Sequence, residues 1–182
     1  MIYIGLDLAL TVTGFVKIWE ANIGRALITT KTRGVDRLDY ICNEIILRIP
    51  PKDYYIGIEN YAYGRPNQAH QIGELHGALK HLFFRFQIEY NLYAPKSIKK
   101  FASGKGNAKK ELLIRDVFKR WGFETDNNNL ADAYAIAKLT EAHHKVLTCE
   151  AAIEDYPVFQ QEVLRGILNP TPKKRRKKKE LI

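Results

Sequence analysis

The stretch IYIGLDL, residues 2–8, is an apolar run of β-forming residues with a carboxylate, Asp7, near its end. This composition predicts a buried strand. A turn over residues 10–14 and the alternating segment GFVKIWE at 14–20 predict a second strand. The segment RALITTKT at 25–32, after a turn expected at 22–24, predicts a third. Three strands joined by tight turns indicate an antiparallel meander.

Beyond this meander the apolar residues change from alternating to helical spacing. Between Val35 and Ile49 they recur every three or four residues, and Pro50-Pro51 predicts the end of that helix. The same reasoning predicts strands at 54–60 and 91–95, a short helical turn at 97–101, a loop at 103–107, and helices at 67–86, 108–121, 130–144 and 157–168. This order predicts an α/β fold in which a mixed five-stranded sheet, three antiparallel strands followed by parallel ones, is flanked by helices.

Composition narrows the class of protein. No apolar run reaches the roughly 18 residues of a membrane span. The N-terminus has no cationic stretch before its apolar residues, so it predicts a strand and not a signal peptide. Cys42 and Cys149 lack metal-ligand spacing, which predicts reduced core or near-core thiols in a cytoplasmic protein without membrane association.

The net charge of +9 is concentrated near the C-terminus, where Lys173–Lys179 reads KKRRKKK. Of 29 basic residues, the 22 outside this block nearly balance the 20 acidic ones. We therefore predict one domain over residues 1–170 and an exposed, disordered tail over 171–182. A basic tail on a nearly neutral body suggests a nonspecific clamp for a polyanion such as nucleic acid.

Three carboxylates lie where chemistry is expected. Asp7 and Glu59 each end an apolar strand, and Asp132 lies near the start of an apolar helix. Three acids brought together repel one another and favour a divalent metal, and hard oxygen ligands select Mg²⁺ or Mn²⁺. Two such ions can assist phosphodiester hydrolysis. The alternative remains open that these are turn residues and, for Asp132, a first-turn acid favoured by the helix dipole.

Five motifs follow one another in a specific order and spacing. They are IGLDLALTVTGFV (4–16), IGIENYAYG (56–64), QIGELHGALK (71–80), NLYAPKSIKKFASGKGNAKKELL (91–113) and NLADAYAIA (129–137). Over about residues 1–145 the chain thereby resembles the RuvC-type Holliday junction resolvases of the RNase H-like, or retroviral integrase, superfamily, especially their phage versions.

The resemblance implies an RNase H-like fold and a Mg²⁺-dependent endonuclease, with Mn²⁺ as a substitute and two ions in each active site. Its substrates would be Holliday junctions, forks and flaps, cut by a homodimer, in the host cytoplasm if a phage encodes it. Asp7, Glu59 and Asp132 would be the metal ligands. The helix motif would place Gly73 and Gly77 at close-packing positions.

One departure concerns Asn129, which stands where bacterial members usually carry a further carboxylate. An amide oxygen can bind a hard cation without adding charge, so Asn129 is a candidate ligand. It is equally a candidate N-cap, a role that asparagine fills well. Asp126, a further turn back, could supply the missing charge.

Lysines crowd the segment from 96 to 110, beside Gly104 and Gly106, which allow close backbone approach to a ligand. The resemblance favours Lys99 and Lys110 at the scissile phosphate, where Lys110 would take part in catalysis. Lys105 and Lys109 would contact other phosphates. A solvated basic face is the alternative.

The loop after Glu59 is expected to contact DNA through Tyr61, Tyr63 and Arg65. Ala62 aligns with the family's wedging aromatic, so that role could pass to Tyr61 or Tyr63, which can stack on unpaired bases. Alternatively these tyrosines pack on the sheet.

Two other functions remain open. One is another RNase H-like nuclease, acting on RNA–DNA hybrids or in RNA processing. The other is a catalytically weak junction-binding protein, since Asn129 leaves the site one charge short.

Overall fold

The computed structural model describes residues 1–60, 66–107 and 110–170, and for 66–69, 110 and 111 the backbone only. Its frame is a five-stranded sheet in the order β3-β2-β1-β4-β5. The strands are β1 (Ile2–Asp7), β2 (Thr13–Trp19), β3 (Asn22–Ile28), β4 (Tyr54–Glu59) and β5 (Asn91–Tyr93). The first three pair antiparallel, whereas β4 is parallel to both β1 and β5. The predicted meander extended by parallel strands is therefore confirmed.

Six α-helices cover the two faces of this sheet in the described residues. They are α1 (Gly34–Ile46), α2 (Pro66–Arg85), α3 (Pro95–Ser103), α4 (Lys110–Trp121), α5 (Asn128–Leu147) and α6 (Val158–Leu168). One apolar core joins the sheet to α1 and α2, and a second joins it to α3, α4, α5 and α6. None of the described helices is both long and apolar enough to cross a membrane.

Side-chain alternation along β1 and β4 separates these two cores. Ile4 and Leu6 pack in the core that contains α1 and α2, as do Ile56 and Ile58. Tyr3 packs on the opposite side, in the core built around α5. Successive side chains of a strand point to opposite faces, so the odd-numbered residues of both strands face α5.

The approach of α5 to the sheet depends on three glycines, one on each of β2, β1 and β4. A Cβ atom built on any of them would lie 2.0–2.2 Å from an atom of α5, far inside contact distance. The pairs are Gly14 with the Asn129 carbonyl oxygen, Gly5 with the Ala133 carbonyl oxygen, and Gly57 with Thr140 Oγ1. The glycines therefore form a shallow groove in which α5 lies diagonally across the sheet.

The sequence prediction is wrong at the connection between β2 and β3. The turn expected at 22–24 is strand, because Trp19 pairs with Asn22 and only Glu20 and Ala21 join β2 to β3. Glu20 closes this short loop by taking a left-handed backbone with φ 51°.

The two cysteines differ in burial. Cys42 is buried as predicted, and burial raises the pKa of its thiol to about 11. Cys149, in contrast, lies exposed beyond the end of α5.

Histidines are buried at two places in the helices. His144 shares a hydrogen bond of 3.1 Å with the Tyr3 hydroxyl, and its neighbour His143 shares one of 3.0 Å with the Tyr93 hydroxyl. His76 is buried in α2. Burial lowers the pKa of all three imidazoles, that of His76 to about 4. These side chains are therefore neutral in the fold at neutral pH.

Mild acid is expected to destabilise the protein through His76. The unfolded chain takes up a proton near pH 6.5 but the folded state only near pH 4, so stability is lost as the pH falls through that window. The loss amounts to roughly 3 kcal/mol at most. Urea unfolding at neutral and acid pH should show a smaller loss for His76→Leu than for the wild type. His81→Leu, at an exposed position of the same helix, is the control; equal pH dependence in all three proteins would contradict the prediction.

Candidate functional site

Asp7 and Glu59 lie side by side at the carboxyl ends of β1 and β4. The parallel register pairs Gly5 with Gly57 and Leu6 with Ile58, so the two acids follow at the next step of the same ladder. Neighbouring strands are about 4.8 Å apart. Both acids are odd-numbered members of their strands and therefore face α5.

Asp132 reaches the same end of the sheet from the first turns of α5. The Asn129 carbonyl oxygen packs on Gly14, which is the antiparallel partner of Asp7. Ala133 packs on Gly5, two residues before Asp7. Asp132 lies between these two contacts along the helix, and it is only 7% exposed. Two strand ends and one helix thus bring the three predicted carboxylates to one edge of the fold.

The donors at this edge suit a hard cation. Carboxylate and amide oxygens are the ligands that Mg²⁺ prefers. Besides the three acids, the buried Asn128 amide oxygen has no hydrogen-bond partner among the described residues, and Asn128 stands one helical turn before Asp132. Among the described residues, however, no group of three or more His, Cys, Asp or Glu residues could hold a metal ion. The metal site therefore stays a prediction.

Asn127, and not Asn129, caps α5. The Asn127 side-chain oxygen accepts hydrogen bonds from the backbone N–H groups of Asn129, at 2.9 Å, and Leu130, at 3.2 Å. The predicted capping role of Asn129 is therefore wrong, because the helix begins at Asn128 and Asn129 already lies in its first turn. Asp126 is exposed and precedes the cap. Ligand roles for Asn129 and Asp126 stay predictions.

Replacing the cap should weaken the site's supporting helix. Asn127→Ala removes the acceptor of two backbone N–H groups, and we expect it to lower the free energy of unfolding by about 1 kcal/mol. Asn129→Asp keeps the cap, and the attraction of its new charge to the helix N-terminus opposes its repulsion by Asp132, so the free energy of unfolding should change by less than in Asn127→Ala. Urea titrations of both variants test this. A larger loss for Asn129→Asp than for Asn127→Ala would contradict the assignment of the cap.

The turn after Asp7 is fixed by Thr13, a residue that the sequence does not by itself mark as important. Thr13 is fully buried. Its hydroxyl donates to the Ala9 carbonyl at 2.7 Å and accepts from the Ala9 N–H at 3.1 Å. These two bonds close the turn between β1 and β2 and so hold the backbone that follows Asp7. In the sequence, Thr13 stands out only as a member of the motif at 4–16.

Comparisons with known proteins bear on this arrangement. No family model matches the chain. The crossover junction endodeoxyribonuclease RuvC of Chloroherpeton thalassium is 28% identical over 150 residues, which cover 75% of this chain and 80% of that protein. The structure of Thermus thermophilus RuvC superposes with a TM-score of 0.62 at 22% identity, covering 82% of this chain and 97% of that one. T. thermophilus RuvC in complex with a Holliday junction substrate gives a TM-score of 0.64 at 24% identity, covering 81% and 96%.

This chain has the RuvC fold. The predicted RNase H-like architecture and the resemblance to RuvC-type proteins are thereby confirmed. The acidic edge described above occupies the carboxyl ends of the central strands of this fold, where mixed and parallel sheets place functional residues.

Within the RuvC fold, the basic segment starts at the same edge as the acids. β5 is parallel to β4, and α3 begins two residues after β5 ends. Lys99 is half-buried in α3, and Lys105 is exposed in the loop that follows. Gly104 ends α3 with a left-handed φ of 81°, and its predicted close approach to a ligand stays a prediction. DNA contacts by Lys99 and Lys105 stay predictions.

Several predicted contact residues lie outside the described part of the chain. These are Tyr61, Ala62, Tyr63, Arg65 and Lys109. For Lys110 only the backbone is described, at the start of α4. The tail at 171–182 is likewise not described.

The predicted close packing at Gly73 and Gly77 is wrong for the described residues. A Cβ atom at either glycine would meet none of their atoms within 4 Å. The glycines that α5 requires are instead Gly5, Gly14 and Gly57, which lie on strands.

Proposed function

We propose that this protein is a metal-dependent endonuclease that resolves Holliday junctions and other branched DNA. The observation that supports the proposal is that Asp7 and Glu59 end two adjacent parallel strands, and that the first turns of α5, which carry Asp132, pack on the same sheet in a chain with the RuvC fold. The relative from C. thalassium bears the name of a crossover junction endodeoxyribonuclease, and the T. thermophilus structure holds a Holliday junction substrate. Both support a branched DNA substrate here.

Mg²⁺ is the cation we propose, with Mn²⁺ as a substitute and two ions per site. Asp7, Glu59 and Asp132 would hold them, with Asn129 as a further oxygen donor. When bound, such ions lower the pKa of an attacking water and stabilise charge on the phosphate oxygens.

The protein's own groups would position the DNA around this site. Lys99, Lys105, Lys109 and Lys110 would neutralise phosphates next to the cut, Lys110 closest to the reacting one. Tyr61, Tyr63 and Arg65 would contact bases where the strands separate. As a homodimer, two copies would present two such sites to the arms of one junction.

Cleavage of labelled synthetic DNA tests the proposal. The substrates are a four-way junction, a Y-fork, a flap, a linear duplex and an RNA–DNA hybrid, each with Mg²⁺, with Mn²⁺ or with a chelator. We expect the junction to be nicked in both metals, leaving a 5′-phosphate, and all cutting to stop with the chelator. Preferred cutting of the hybrid would instead indicate another RNase H-like nuclease. Binding of the junction without cutting in either metal would indicate a junction-binding protein.

A further inference from the structure

The C-terminal helix α6 and helix α4 together hold the end of α3. The last carbonyl groups of a helix have no partner within the helix. Here Gln160 of α6 donates from Nε2 to the Phe101 carbonyl at 2.9 Å, and Arg120 of α4 donates from Nε to the Ala102 carbonyl at 2.8 Å. Gln160 is only 4% exposed. Two carbonyls in the last turn of α3 are thus fixed by side chains from two other helices.

An aromatic ring from α6 extends this contact to the loop after α3. Phe159 lies against Gly104, where a Cβ atom would come within 3.7 Å of the ring. The Arg120 guanidinium lies over the same ring, 4.6 Å from its centre. The Phe159 ring thus contacts both Gly104 and Arg120, and the same arginine bonds the Ala102 carbonyl. We call Arg120, Phe159 and Gln160 the clasp.

The segment that the clasp holds is also tied internally. The Ser103 hydroxyl donates to the Lys99 carbonyl at 2.7 Å and accepts from the Lys105 N–H at 3.2 Å. Lys100 pairs with Glu162 of α6. The backbone from Lys99 to Lys105 is therefore held by its own hydroxyl bridge and by two neighbouring helices.

We propose that the clasp residues are positioning residues for DNA binding, which preorganise the segment 99–105 so that Lys99 and Lys105 meet phosphates without first ordering the backbone. The inference rests on the proposed function, and it assigns a role to α6, which lies beyond the motifs at 1–145. Groups already fixed in the binding geometry lose less entropy on association, so preorganisation raises affinity without adding a contact. A helix that served only to cover the core would need Val163 and Leu164 but no buried amide bonded to α3.

The test uses substitutions that keep charge. Arg120→Lys retains the cation but loses the Nε–H donor and the guanidinium group over the Phe159 ring. Phe159→Leu removes the aromatic ring, whereas Phe159→Tyr keeps it. Arg165→Lys makes the same exchange as Arg120→Lys at an exposed α6 position whose partner, Glu154, lies outside the clasp. For each protein, junction affinity is measured over a range of salt concentrations, together with kcat, KM and the thermal midpoint.

For Arg120→Lys and Phe159→Leu we expect junction affinity to fall about tenfold at fixed salt. The slope of log affinity against log salt should become shallower, by an amount that corresponds to the loss of about one or two phosphate contacts. The loss should appear in KM and not in kcat. Phe159→Tyr and Arg165→Lys should resemble the wild type.

A lower thermal midpoint with an unchanged salt slope would show a merely structural role and overturn the inference. The same titrations on linear duplex DNA separate this outcome from failure of the proposed function. If the wild type shows no preference for the junction, the proposed function is wrong. The slope of log affinity against log salt measured on duplex DNA then still tests whether the clasp positions Lys99 and Lys105.

Discussion

Asp132→Asn is expected to reduce the rate of junction cleavage by about three orders of magnitude, near the upper end of what loss of one preorganised electrostatic partner costs. Asparagine has the shape of aspartate, so the packing of this nearly buried position is kept while one negative charge is lost. The fold and the affinity for the junction should therefore persist. Single-turnover cleavage, measured beside binding and the thermal midpoint, separates these effects. Asp7→Asn and Glu59→Gln should behave alike.

A second measurement reports on the ion directly. A ligand that binds only the folded state stabilises it, so Mg²⁺ should raise the thermal midpoint of the wild type and not that of Asp132→Asn. Asp39→Asn makes the same exchange at an exposed position of α1, and it should match the wild type in both assays. If Asp132→Asn cuts at a rate within tenfold of the wild type, Asp132 is not a ligand.

Gly5→Ala is expected to remove a large part of the protein's stability. Its new methyl group would lie 2.0 Å from the Ala133 carbonyl oxygen and 2.5 Å from the Ala137 nitrogen. Both are backbone atoms of a helix and cannot move singly, so α5 would have to lift from the sheet. We expect a loss of more than about 4 kcal/mol, beyond the usual range for a point substitution, out of a typical total of about 5–15 kcal/mol.

The matched control for this variant is Gly166→Ala in α6. A Cβ atom there meets no atom of the described residues within 4 Å. The change should stabilise the protein by about 1 kcal/mol through helix propensity. Far-UV circular dichroism and urea unfolding give both values. Wild-type stability in Gly5→Ala would mean that α5 is not seated on β1 as described.

The sheet and the three acids could be predicted because they depend on local patterns. Asp7 and Glu59 end apolar runs, and the order of strands and helices then requires parallel neighbours whose ends meet. The position of Asp132 could be predicted from its place near the start of an apolar helix and from the resemblance to RuvC-type resolvases. None of these steps needs knowledge of which side chains touch across the fold.

Errors arose where several residues could fill one structural role. Asn127, Asn128 and Asn129 are consecutive and equally able to cap, and only the backbone shows that the helix begins after the first of them. Glycines at 73 and 77 have helical spacing, yet the close contacts fall on strand glycines, because the path of α5 is set by the whole sheet.

The clasp could not be predicted from sequence. Gln160 and Phe101 are 59 residues apart, and Arg120 and Ala102 are 18 apart. Neither pair belongs to a local pattern, and α6 was predicted only as one more helix. Polar side chains that bond a distant backbone become visible once the tertiary structure is known.

The long separation between β1 and α5 also sets when the acidic edge can form during synthesis. Asp7 and Asp132 are 125 positions apart in the chain. At translation rates of about 5–20 residues per second, the ribosome adds them roughly 6 to 25 s apart. Until α5 has emerged and settled into the glycine groove, the growing chain holds Asp7 and Glu59 without their third partner. If the three acids hold the metal as proposed, the chain cuts no DNA through most of its own translation.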